Sequence, residues 1–252
     1  MNKIDLWTKA SSLRKELKID TQSPVDIIPL VNNIDNLTLV FYPMSDKISG
    51  ICIKNEAGNV IAVNSNMTMG RQNFSVAHEL YHIYHDDNGF RTTVCQKELG
   101  TNKAEEQKAE QFASYFLMPP DSMKEMIDKV KKDTNKKRLS EENVIKLEQH
   151  FRISRQAMLI RLIDEGELTE KEANGMKTNI IQYVMFLGYD DILYRPLPIE
   201  RQYRTYGHYI KQVEELSEKG LISAGKYDEL LLEAFRTDLV YGDTVEGGEI
   251  FD

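Results

Sequence analysis

The stretch Val76 to His85, VAHELYHIYH, makes two demands on a single helix. At 100° per residue, Val76, Leu80 and Ile83 form an apolar stripe, and such a stripe must pack against a core. His78 and His82, four apart, project together roughly on the other side, with their Cβ atoms about 5–6 Å apart. A fold that satisfies both demands buries the helix from behind and presents the histidines to a cleft. Two imidazoles so placed can share one metal ion, and Zn2+ is the expected one. Glu79 is turned about 100° from His78, so it stands beside such an ion rather than on it. There a carboxylate can take a proton from a metal-activated water and return it to a leaving amine. His85 completes no longer histidine pattern and reads as a surface or supporting residue.

A catalytic zinc site takes three protein ligands, and two histidines with a glutamate are an established set. The donor of the third is the helical segment Lys103 to Met118, stopped by Pro119 and Pro120. Its apolar face is Ala109, Phe112, Ala113, Phe116 and Leu117. Glu105 and Glu106 flank the centre of that face at about 50° each way, so periodicity leaves both open. Glu110 lies further out. Ala109 and Ala113 are small enough for a close approach to the histidine helix. Tyr81, Tyr84 and Tyr115 are near in sequence, and packing is the stronger reading for each.

The surrounding elements point to an α+β chain. Residues 3 to 18 have the spacing of an amphipathic helix. Leu37 to Tyr42 reads as a buried strand, and Ile48 to Lys54 with Val60 to Val63 as a hairpin across Asn55, Gly58 and Asn59. A short strand is expected at Thr92 to Cys95, inside a polar loop from Asp86 to Asn102. The run KVKKDTNKKR, from Lys129 to Arg138, suggests a solvated linker. Ser140 and Asn143 open a helix to about His150, and a second helix follows from Ser154 to about Asp164, a helix-turn-helix spacing. Two more helical stretches are expected near 200–217 and 222–238, ahead of an acidic tail.

The 252 residues carry a net charge of −8, which argues against binding nucleic acid with the whole surface. The charge is uneven: Lys124 to Arg161 hold eleven basic residues against six acidic, and Asp164 onward nine against nineteen. Cys52 and Cys95 make no CxxC and read as reduced thiols. With no signal-like run in the first 20 residues and no apolar span, a cytoplasmic protein without membrane contact is expected.

The segments RQNFSVAHELYHIYH and EEQKAEQFASYFLMPP, with the lead-in SGICIKNEAGNVIAVNSNMTMGRQNF, together resemble the ImmA/IrrE family of bacterial and phage metallopeptidases over about residues 37 to 120. The resemblance implies a small zincin-like domain, taken as residues 1–128. A helix-turn-helix-like segment (129–176) and a mainly helical region with the acidic tail (177–252) would follow. It places Glu106 at the family's metal-ligand glutamate and Glu110 where the family more often has Asn or Asp, a residue that orients a ligand histidine. It also implies a protein substrate, a helix-turn-helix repressor whose cleavage derepresses a mobile element or a stress response. The alternative is a non-catalytic antirepressor or antitoxin-like module with a structural metal. Read as DNA-binding, Ser154, Arg155 and Gln156 would open a recognition helix. The apolar Phe151, Ile153, Leu159, Ile160, Leu162 and Ile163 instead favour packing, so direct DNA binding is not expected.

Overall fold

The computed structural model describes residues 3–86, 91–96, 104–133 and 138–242. It is an α+β fold built on one five-stranded sheet. Three strands come from the hairpin region as expected: β1 (Leu37–Tyr42), β2 (Ile48–Lys54) and β3 (Asn59–Asn64). β2 and β3 are antiparallel, whereas β1 runs parallel to β3, from Leu37 opposite Asn59 to Tyr42 opposite Asn64. β4 (Arg91–Gln96) pairs antiparallel with β2 and forms one edge.

The other edge was not foreseen. Residues 204–207, expected to lie in a helix, form β5 (Arg204–Gly207), which pairs antiparallel with β1. The reason is tertiary: the far side of β1 offers unpaired backbone groups, and these residues satisfy them from 160 and more positions away in the chain. The following α10 (His208–Glu218) begins only after this strand, and α11 (Ala224–Glu233) and α12 (Thr237–Tyr241) follow it. The acidic tail from residue 243 onward lies outside the described residues.

The helix carrying the histidines, α3 (Met69–His85), lies against β2 and β3, with α4 (Ala104–Leu117) beside it and α1 (Lys3–Glu16) packed on α4. Val76, Leu80 and Ile83 are buried, as the stripe demands. The N-terminal end of α3 is seated equally tightly. A Cβ at Gly70 would stand 2.6 Å from the Ser154 backbone nitrogen, so only glycine allows this approach. Asn73 adds a hydrogen bond from Nδ2 to the Arg152 carbonyl (2.8 Å).

α5 (Pro120–Asp133) extends helix into the stretch read as a linker, and Met123, Ile127 and Val130 face the core. Residues 134–137 of that stretch lie outside the described set. α6 (Glu141–Phe151) opens with a capping box between Ser140 and Asn143, and α7 (Arg155–Asp164) is capped by Ser154. One hydrophobic core runs from Leu6 through the sheet and α3 to Ala173. No described helix is long and apolar enough to cross a membrane.

Candidate metal centre

Three donors converge where α3 meets α4. His78 Nε2 and His82 Nε2 lie 3.3 Å apart, and Glu106 Oε2 is 3.2 Å from His78 Nε2. The other Glu106 oxygen is 3.9 Å from His82 Nε2. Donors roughly 2.0–2.1 Å from a tetrahedral ion stand about 3.3 Å apart, so this spacing suits a zinc-sized cation. Burial holds both imidazoles below their ordinary pKa, while Glu106 pulls His78 the other way. Neutral imidazoles keep the lone pairs that a metal needs.

Glu79 lies beside this set and is completely buried, and among the described residues its carboxylate has the Cys95 thiol as its hydrogen-bond donor and no stronger one. Burial pushes its pKa up to about 8. Leaving such a group unsatisfied costs on the order of 1–3 kcal/mol, and more when it is charged. A nearby cation would offset that cost by favouring the carboxylate. The fit between these residues and a divalent ion therefore rests on both the donor spacing and the deeply buried, weakly satisfied carboxylate.

Residues 37–163 match the peptidase M78 family, described as the IrrE N-terminal-like domain. The chain belongs to this family. Among curated proteins no relative matches it. Membership in M78 makes the protein metallopeptidase-type, and the His78–His82–Glu106 cluster provides the place for a metal.

Of the two glutamates that periodicity left open, the fold brings Glu106 to the histidines. Glu105 turns outward, accepts a hydrogen bond from Lys108 at 2.7 Å, and lies 3.5 Å from the Tyr81 hydroxyl. The carboxylate against His82 Nδ1 belongs to Asp86, at 3.3 Å. Sequence reasoning passed over Asp86, although its i,i+4 spacing from His82 was a usable signal. Glu110 acts on Arg71, partly offsetting the burial that leaves this guanidinium lowered to about 10. His85 is half-buried, with its ring against Tyr81 and Phe112. Tyr115 lies under the Arg161 guanidinium, 4.9 Å from ring centre to carbon, a packing contact.

In this M78 chain the histidine face is covered rather than open to a cleft. His78 is 6% exposed and His82 3%. The cover includes Cys95 on β4, whose Sγ completes a four-donor group with all ligand atoms within 4.8 Å of one another. A bulge in the β2–β4 pairing, between Ile48 and Gly50, sets Gly50 opposite Cys95. Bulges re-aim side chains in this way. Gly50 in turn leaves room for Glu79, because a Cβ there would stand 2.8 Å from Glu79 Oε1. Cys95 was treated in the sequence only as a free thiol, since nothing local places residue 95 over residue 79. A cleft of about 780 Å³ lies elsewhere, between Thr68 and Arg71 near the start of α3, the cap residue Ser154 and Gln156 of α7, and residues 177–182.

Proposed function

We propose that this protein is a zinc-dependent endopeptidase in which Glu79 is the proton-transferring base and His78, His82 and Glu106 hold the metal. The observation that carries the reading is the fully buried carboxylate of Glu79, with only a weak thiol donor among the described residues, beside three convergent metal donors. A bound zinc ion would polarise the scissile carbonyl and acidify a water. Glu79, already raised in pKa by burial, is suited to accept a proton from that water and deliver it to the leaving nitrogen. Asp86 holds the His82 ring through Nδ1, leaving Nε2 toward the metal position. Among the described residues no strand pairs with the outer edge of β4, so an extended substrate can add there as a further strand.

The substrate proposed is a regulatory protein of the helix-turn-helix repressor type, cleaved in the cytoplasm to derepress a mobile element or a stress response. The α6–α7 pair supports a protein rather than a DNA partner. Arg155 is 5% exposed and held by Glu148, Glu141 and the Met176 carbonyl, so it is not presented to a DNA groove. One observation favours the rival reading of a non-catalytic antirepressor: Cys95 gives the site a fourth protein donor, and closed four-ligand sites are typically structural.

Co-expression with a helix-turn-helix regulator encoded beside this protein tests the two readings. The regulator's mass is followed with wild type, Glu79→Gln and Glu106→Ala. Cleavage by wild type that is lost in both variants is the expected result. A regulator that stays intact yet releases its operator with all three proteins would establish the antirepressor instead.

A further inference from the structure

Cys95 is one of two free cysteines, both buried, and it occupies a position a core thiol does not need. Along β4, Thr93 and Cys95 face inward while Thr92 and Val94 face out, so the strand's alternation directs the thiol onto the helix below. Its Sγ lies 3.8 Å from Glu106 Oε2. A thiolate roughly 2.3 Å and a carboxylate oxygen roughly 2.1 Å from one tetrahedral ion stand about 3.6 Å apart. The sulfur is therefore at ligand spacing from the glutamate, just as the two imidazoles are from each other.

We infer that Cys95 is a fourth, displaceable metal ligand that closes the site and holds the peptidase latent. This rests on the zinc-peptidase reading above and adds a regulatory state to it. When the sulfur–metal bond forms, the thiol proton leaves to solvent; when the sulfur withdraws, it takes a proton back, and no oxidant or reductant is involved. Two features argue against a purely structural four-ligand site. Such a site has no use for Glu79, a carboxylate fully buried at the same spot with only the weak Cys95 thiol donor beside it among the described residues. The fourth donor also sits on an edge strand, paired among the described residues with β2, while the other three sit on two helices packed in the core. Of the four donors, Cys95 is the one carried by a strand at the edge of the sheet rather than by a core helix. A substrate strand adding to the outer edge of β4 would engage the very strand that carries the plug.

The test uses the full chain loaded with Zn2+ or Co2+ and needs no substrate. X-ray absorption of the zinc form should show one sulfur at about 2.3 Å in wild type. That sulfur should persist in Cys52→Ser and be lost in Cys95→Ser. Acetohydroxamate, a small metal-chelating probe, should bind the cobalt form of Cys95→Ser at least about tenfold more tightly than wild type, because the open position is then free. Should Cys95→Ser not fold, the wild-type and Cys52→Ser spectra still decide the question. A wild-type zinc site with no sulfur, or equal hydroxamate affinity in wild type and Cys95→Ser, overturns the plug and leaves the three-ligand peptidase standing. A wild-type chain that takes up no metal overturns both.

Discussion

Gly50 leaves the space that the Glu79 carboxylate occupies: a Cβ on residue 50 would stand 2.8 Å from Glu79 Oε1 and 3.3 Å from the Ala62 carbonyl oxygen. The strand and the helix thus share one constraint, set 29 residues apart in the chain. The first contact is with the end of a side chain that can swing, so the fold can absorb a methyl group while the carboxylate cannot keep its place. Gly50→Ala should cost only about 1 kcal/mol of stability. It should lower peptidase turnover by at least tenfold, since a carboxylate about 1 Å out of position transfers protons poorly. Urea denaturation and turnover on the same preparation check the two halves, and equal losses in both would defeat the claim.

Glu79→Gln should leave metal content unchanged and reduce turnover by roughly 10²–10⁴, the usual worth of a positioned base. It should also change how the metal-free protein responds to pH. Burial raises the Glu79 pKa from 4.5 to about 8, so the folded state binds the extra proton and stability is lost as pH rises through that interval. His78 and His82 are shifted the other way, below 6.5, so their contribution is lost as pH falls. The variant removes only the alkaline loss. At pH 9 the metal-free variant should melt on the order of 5 °C above metal-free wild type, and the gap should close near pH 4. Paired calorimetric scans across that range would show a constant gap if Glu79 were not the cause.

Glu106→Ala should weaken zinc binding by at least about 100-fold, whereas Glu105→Ala should leave it within about twofold. Glu105 is on the exposed side of α4 with Lys108, and Glu106 is the one at 3.2 Å from His78. Asp86→Ala lies between them: it should loosen zinc by roughly 10-fold, because His82 loses the acceptor that orients it. Competition with a chromophoric chelator measures all three.

Glu148→Ala should destabilise the fold by about 3–5 kcal/mol. It removes the buried one of the two carboxylates that hold Arg155, itself 5% exposed, and the acceptor of the Tyr194 hydroxyl at 2.7 Å. The same network ties the 3-10 turn Ile192–Tyr194 to α6 and α7, so the loss should be seen as one cooperative transition shifted to lower denaturant. A variant with unchanged midpoint would show that the network is not needed for stability.

Local pattern by itself determined a good deal of this molecule. The 3.6-residue period located α3 and α4, the alternating and turn residues located β1, β2, β3 and β4, and Ser140 and Ser154 marked the starts of α6 and α7. HExxH brought His78, Glu79 and His82 together because one turn of helix suffices to do so. The choice between Glu105 and Glu106 lay beyond periodicity, since they differ by one helical step and the approach angle of α4 on α3 decides which one reaches the histidines. β5 was not legible, because its conformation comes from the open edge of β1 and not from its own residues. Nor was Cys95 over the metal site: its place there depends on the β2 bulge, on the bare Gly50, and on β4 pairing across the sheet. Helical neighbours are fixed by backbone geometry and can be read from spacing, whereas contacts between distant elements are fixed by packing, and packing is decided only when the whole core closes.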